Sequence, residues 1–168
     1  MENTRARVLI ADDHKLIAGA CKTLLQPEFD VVGTVTNGRD LIEAASELRP
    51  DIVILDISMP QLNGLDAGEQ LKQKLPATKI VYLTMLKGPD VAAEAFRRGA
   101  SGYVLKHCNA EDLVVAVRRA HQGESYLSPM ITKDTVEFLL HRAELTEKKR
   151  AFRAGTAKFC SSSPKERP

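Results

Sequence analysis

Five short runs dominated by Val, Ile and Leu recur along the chain, each followed by a segment with helical spacing of apolar residues. The runs are Ala6–Ala11, Asp30–Thr36, Asp51–Asp56, Lys79–Thr84 and Gly102–Lys106. Most are nearly continuous rather than alternating, the pattern of parallel strands covered on both faces. Between and after them apolar residues return at i, i+3, i+4, as in Leu16, Ala20, Leu24, then Leu41, Ala45, Leu48, and later Leu113, Ala116, Val117 and Ala120. Asn63-Gly64 and Gly88-Pro89 mark helix starts, and Gly99 a C-terminal cap. Five βα units in a row impose right-handed crossovers. They predict an α/β fold, a doubly wound five-stranded parallel sheet with helices on both faces. Ligands of such sheets gather at the carboxyl ends of the strands.

The 168 residues suffice for one core and a short appendix. Hydrophobic residues at 43% and charged residues at 27% exclude a disordered chain, and no apolar run is long enough for a bilayer. The start carries no secretory pattern, and Cys21, Cys108 and Cys160 are too widely spaced for a disulfide framework or a zinc knuckle. The expected location is therefore the cytoplasm. Charge is uneven: from Thr146 onward seven Lys/Arg face two Asp/Glu, against 17 basic and 20 acidic residues before it.

At the strand ends the sequence puts Asp12-Asp13, Asp56, Thr84 and Lys106. Any one of them could simply mark where a strand meets solvent. All five together at one sheet edge point to chemistry, because three converging carboxylates repel and call for an oxygen-preferring cation such as Mg²⁺. Neither G-x-G-x-x-G nor the phosphate loop G-x-x-x-x-G-K-[ST] follows the first strand, so nucleotide binding is unsupported. Phosphatases with an aspartate nucleophile want a second acid two residues later, where this chain has Ser58.

The segments VLIADDHKL, PDIVILDISMPQLNGLD, KIVYLTM and RRGASGYVLK resemble the receiver domain of two-component response regulators of the LuxR/NarL type, from about Arg7 to Gln122. The resemblance implies a flavodoxin-like strand order 2-1-3-4-5 and a phosphoryl-accepting switch, not an enzyme acting on an outside substrate. It implies Asp56 as phosphoacceptor, with Thr84 and Lys106 contacting the phosphoryl oxygens. Asp13, Asp56 and the backbone carbonyl of Ser58 would hold Mg²⁺ directly and Asp12 through water; Thr84 and Tyr103 would form the switch. A sensor histidine kinase is the implied partner and a homodimer is admitted, whereas no membrane partner is implied. The alternative is a phosphorylation-independent interaction module, which the five intact positions disfavour. The chain departs from the broad pattern at His107, where many receivers carry a cis proline, and at Met85. His14 reads as a solvated helix-start residue and Cys21 as a small core residue.

The expected organisation is a receiver over residues 5–122, a linker with a connector helix over 123–145, and a basic tail over 146–168. Gly123–Ser128 reads as a loop. A helix follows from Pro129 to about Ala143, with Val136, Leu139 and Leu140 on its apolar side. The tail carries too few apolar residues for the DNA-binding helix-turn-helix core of the resembling family, and reads as disordered. In a shifted frame, with synonymous codon choice, Thr156–Pro168 reads like the opening helix of that module. The expectation is a lost or frame-shifted output module and no sequence-selective DNA binding.

Overall fold

In the computed structural model the described residues are 4–154, apart from the side chains of 132–136, 138–140 and 154. The strands are β1 (Arg7–Ala11), β2 (Asp30–Val35), β3 (Ile52–Leu55), β4 (Lys79–Thr84), β5 (Gly102–Leu105) and β6 (Tyr126–Leu127). The helices are α1 (Lys15–Leu25), α2 (Gly38–Leu48), α3 (Gly64–Lys74), α4 (Pro89–Arg97), α5 (Ala110–His121) and α6 (Pro129–Ala154). All strand pairs are parallel, in the order β2-β1-β3-β4-β5-β6.

The continuous apolar runs follow from a sheet with two buried faces. Side chains alternate across a strand, so Val53 and Leu55 join one core with residues of α2, α3 and α4. Ile52 and Ile54 join the other, with residues of α1 and α5. Asn63 caps α3 by accepting from the Asp66 N–H at 3.0 Å, and Asn37 does the same for α2 through Asp40 at 2.8 Å. Gly99 adopts φ +101° just past α4, the left-handed geometry that glycine tolerates best.

Three expectations are corrected. The sheet has six strands, not five: Tyr126–Leu127, read as loop, lies alongside β5, with Ser128 N–H donating to the Tyr103 carbonyl at 2.9 Å. Two residues are too few to show periodicity, and what places them is the open edge of β5. The helical face of α1 read from Leu16, Ala20 and Leu24 is its solvent side, with Leu16 90% exposed. Ala18, Cys21 and Leu25 are buried instead, and the small Ala18 and Cys21 let the helix lie close to the sheet. Finally, α6 continues from Ala143 to Ala154, so residues 146–154 of the expected disordered tail are helical. This stretch is rich in Ala, Glu, Lys and Arg, strong helix formers without a breaker. The side chains of Val136, Leu139 and Leu140, and residues 155–168, fall outside what is described.

Candidate functional site

The carboxyl ends of β1 and β3 lie side by side, because Ala11 pairs with Leu55. The next residues in each strand's direction, Asp12 and Asp56, therefore emerge together. Asp56 N–H donates to the Ala11 carbonyl at 2.9 Å. The turn after Asp56 is closed by Gly64 N–H donating to the Ile57 carbonyl at 2.8 Å. A Cβ at Gly64 would stand 2.1 Å from the Asp56 carbonyl oxygen, so only glycine lets α3 start this close to the Asp56 backbone.

Asp12 and Asp56 are 3% and 2% exposed, while Asp13 lies at the open rim. Ligand atoms of Asp12, Asp13, His14 and Asp56 lie within 4.8 Å of one another. Lys106, one residue past β5, reaches in with its ammonium 3.0 Å from Asp56 Oδ2 and 2.8 Å from Asp12 Oδ2. The contact to Asp12 is an ion pair without hydrogen-bond alignment. Oδ2 of Asp12 is thus a buried acceptor with no hydrogen-bond partner among the described residues. Burial pushes the Asp56 carboxyl above the ordinary aspartate range against the opposing pull of Lys106. Burial alone would lower the Lys106 ammonium, but the close approach of the Asp12 and Asp56 carboxylates carries it upward. Ser58 donates its backbone N–H to Asp56 Oδ1 at 3.2 Å. A set of three clustered carboxylates, one of them with a buried oxygen held by an ion pair alone, fits a hard divalent cation such as Mg²⁺.

Thr84 and Tyr103 are drawn together elsewhere. Thr84 is fully buried at the end of β4, its Oγ1 accepting from Leu86 N–H at 3.2 Å. Tyr103 is buried on β5 and donates its hydroxyl to the Leu86 carbonyl at 2.8 Å. The two residues hold the backbone of Leu86 in the β4–α4 loop, one at its N–H and the other at its carbonyl, which makes Leu86 a site residue that sequence reading missed. A second missed residue is Ser128. Fully buried, its Oγ accepts from Leu105 N–H at 3.0 Å, tying the start of α6 to the strand that carries Lys106. His14, read as a solvated helix-start residue, keeps a 57% exposed side chain, and its ring nitrogen lies 3.1 Å from both Asp12 Oδ1 and Asp13 Oδ1. Cys21 is a core residue as expected, and burial pushes its thiol up to about 11.

The fold and this pocket define a doubly wound α/β domain with an acidic site at the carboxyl edge of its sheet. Residues 8–118 match the response regulator receiver domain family, and the chain belongs to it. Its relatives are regulators of the NarL/LuxR type. The transcriptional regulatory protein LnrK of Bacillus subtilis is 40% identical over 75% of this chain and 58% of its own length. The nitrate/nitrite response regulator protein NarL of Escherichia coli is 37% identical over 76% of this chain and 60% of its own. The chain therefore spans about three-fifths of these relatives. Among solved structures, a LuxR-family response regulator from Aurantimonas superposes with TM-score 0.77 at 30% identity, covering 82% of this chain and 99% of that one. The isolated receiver domain of RcsB from Salmonella enterica, determined with the phosphomimetic BeF₃⁻, gives TM-score 0.73 at 25% identity over 77% and 98%.

Proposed function

We propose that this receiver is a Mg²⁺-dependent phosphorylation switch charged by a histidine kinase on Asp56. The observation that carries the reading is the convergence of Asp12, Asp13 and Asp56 in one pocket, with Lys106 3.0 Å from Asp56 Oδ2. A carboxylate oxygen of Asp56 forms the bond to phosphorus as the bond from phosphorus to the kinase imidazole nitrogen breaks, in line. Asp13, Asp56 and the Ser58 carbonyl would hold the cation, with Asp12 acting through water. When bound, Mg²⁺ offsets charge on the transferring oxygens. Lys106 moves from the Asp56 carboxylate to a phosphoryl oxygen as a compact point charge. Thr84 donates its hydroxyl to another, which requires the Leu86 N–H to be released or shifted. Tyr103, bound to the carbonyl of the same residue, follows the loop, and Ser128 passes the displacement of β5 to the connector helix α6. The segment over 5–122 acts as the receiver and 123–145 as linker and connector. In relatives such as the transcriptional regulatory protein LnrK the output is transcription; for this chain the proposal covers the switch itself, a cytoplasmic location and a homodimer.

Incubation with acetyl phosphate and Mg²⁺, followed by intact mass measurement, tests it. One phosphoryl group is expected on the wild type and none on Asp56→Asn. An unmodified wild type, under conditions that label another receiver, overturns the proposal and leaves an interaction module that keeps the fold without the chemistry.

A further inference from the structure

We propose that α6 is a brace: it holds α4 in its present position and thereby opposes the switch at Asp56. The inference rests on the phosphorylation reading above and names the element that sets how readily that switch is thrown.

On its own, α4 is weakly fixed. At nine residues it is the shortest of the described helices, and no side chain caps its first turn at Gly88. Only Lys87 and Gly88 separate it from Leu86, whose backbone Thr84 and Tyr103 hold. A shift of Leu86 that frees the Thr84 hydroxyl therefore pulls on the start of α4. Two sides of this helix are nevertheless covered. Ala92 and Ala95 join the core against the sheet. Ala93 stands about 100° further round the helix, yet it is only 1% exposed. On that flank α6 runs alongside α4. Ala93, Phe96 and Arg97 line one wall of a groove whose other wall is Arg142, Ala143 and Thr146.

The brace does not ride along with α4, because its own start is fixed to β5. Ser128, just before α6, donates its N–H to the Tyr103 carbonyl at 2.9 Å, and its Oγ accepts from Leu105 N–H at 3.0 Å. Ile131, in the first turn of α6, is buried in the core that contains Tyr103 and Leu105. One end of α6 is thus pinned to β5 while its length lies against α4. Displacement of α4 relative to β5 shears the contact between the two helices. The docked α6 favours the resting loop, and a group bound at Asp56 favours release of α6. Such coupling is reciprocal, so loosening α6 tightens binding in the Asp56 pocket.

The test uses the whole 168-residue chain and measures binding of the phosphomimetic BeF₃⁻ in the presence of Mg²⁺ by calorimetry. Glu137→Pro breaks α6 beyond its pinned first turn, because proline removes an N–H and clashes with the preceding turn. Glu137→Ala keeps the helix. Ala93→Arg crowds the contact from the α4 side and sets a third guanidinium beside Arg97 and Arg142. Glu137 is exposed, so Glu137→Pro leaves the receiver core untouched and decides the matter if Ala93→Arg fails to fold. Glu137→Pro and Ala93→Arg should bind BeF₃⁻ about threefold or more tighter than wild type, and Glu137→Ala should match wild type. Amide hydrogen exchange over residues 141–154 should be faster in Glu137→Pro, and faster in wild type once BeF₃⁻ and Mg²⁺ are added. Unchanged or weaker BeF₃⁻ binding by Glu137→Pro, with residues 141–154 exchanging faster, overturns the brace and leaves the switch standing. Wild-type exchange already as fast as that of Glu137→Pro also overturns it, since no helix is then docked. A wild type that neither binds BeF₃⁻ nor takes a phosphoryl group from acetyl phosphate fails the phosphorylation reading, and the brace with it.

Discussion

Lys106 and Arg98 each gather acids from more than one element of the fold, in opposite surroundings. Lys106 lies between Asp12 and Asp56, all three side chains no more than 3% exposed. Arg98, just past α4, contacts Asp66 at 2.8 Å, Glu69 at 3.2 Å and Glu94 at 2.7 Å, and those acids range from 24% to 51% exposed. In the first cluster both desolvation and Coulomb attraction are large, and they nearly cancel when every charge is paired. In the second both are small, because water screens each pair. The buried cluster is the poorer device for stability, which agrees with the proposal that it serves a ligand and chemistry. The exposed cluster pins α3 to α4 and carries no such signal.

The largest effect expected from this contrast is Lys106→Met. Removing the ammonium paired with two buried carboxylates should destabilise the metal-free protein by about 3 kcal/mol, limited by proton uptake at Asp56. Urea unfolding at pH 7 in a chelator measures it, and adding Asp12→Asn should recover a large part. A loss below about 1 kcal/mol would place this cluster in the same regime as that of Arg98 and break the comparison.

A cation should act on the first cluster alone. At 100 times its dissociation constant, Mg²⁺ bound only to the folded state adds about 2.7 kcal/mol. Thermal unfolding with and without Mg²⁺ should show this gain in wild type and Arg98→Ala. It should be mostly lost in Asp13→Ala, whose fold stays intact because the residue sits at the exposed rim. An equal Mg²⁺ response in wild type and Asp13→Ala removes Asp13 from the site.

How much of this was legible in the sequence depended on the range of the interaction. Asp12, Asp13, Asp56 and Lys106 could be read because each closes an apolar run, so strand ends and site coincide. The doubly wound sheet was legible for the same reason. The sixth strand was not, because Tyr126–Leu127 is defined only by its partner β5. The inward turn of His14 depends on one backbone hydrogen bond and leaves no periodic trace. The grip of Thr84 and Tyr103 on Leu86 joins residues 17 apart, and Arg98 and Asp66 are 32 apart, separations at which charge patterning gives no guide. The inverted face of α1 was misread because Leu outranks Ala and Cys as an apolar signal, while close packing against the sheet favours the smaller pair.

Arg98→Ala should cost about 1 kcal/mol or less at 0.1 M salt, since its partners are solvated. Raising the salt to 1 M shortens the screening length from about 10 Å to about 3 Å and should erase the difference from wild type. The Lys106→Met loss should persist in the same series. A salt-insensitive Arg98 effect would mean that the guanidinium contributes through packing, not charge.

The smallest expected effect is acid dependence at Glu94, which sharpens the comparison through its sign. Hydrogen bonds from Arg97 and then Arg98 hold the Glu94 carboxyl at about 2, below its ordinary value of 4.5. A carboxyl depressed by folding binds its proton more readily in the unfolded chain, so its contribution is fully present above about 4.5 and is lost as pH falls toward about 2. Wild type should therefore exceed Glu94→Gln in stability at pH 6, and the two should converge as acid approaches pH 2. Because Glu94 faces water, the difference should be smaller than that of Arg98→Ala, which removes contacts to three acids at once. Chemical denaturation of both proteins across this range at constant low salt reads the convergence. A gap that widens on acidification would reverse the sign and would mean that Glu94 is held by something other than its arginines.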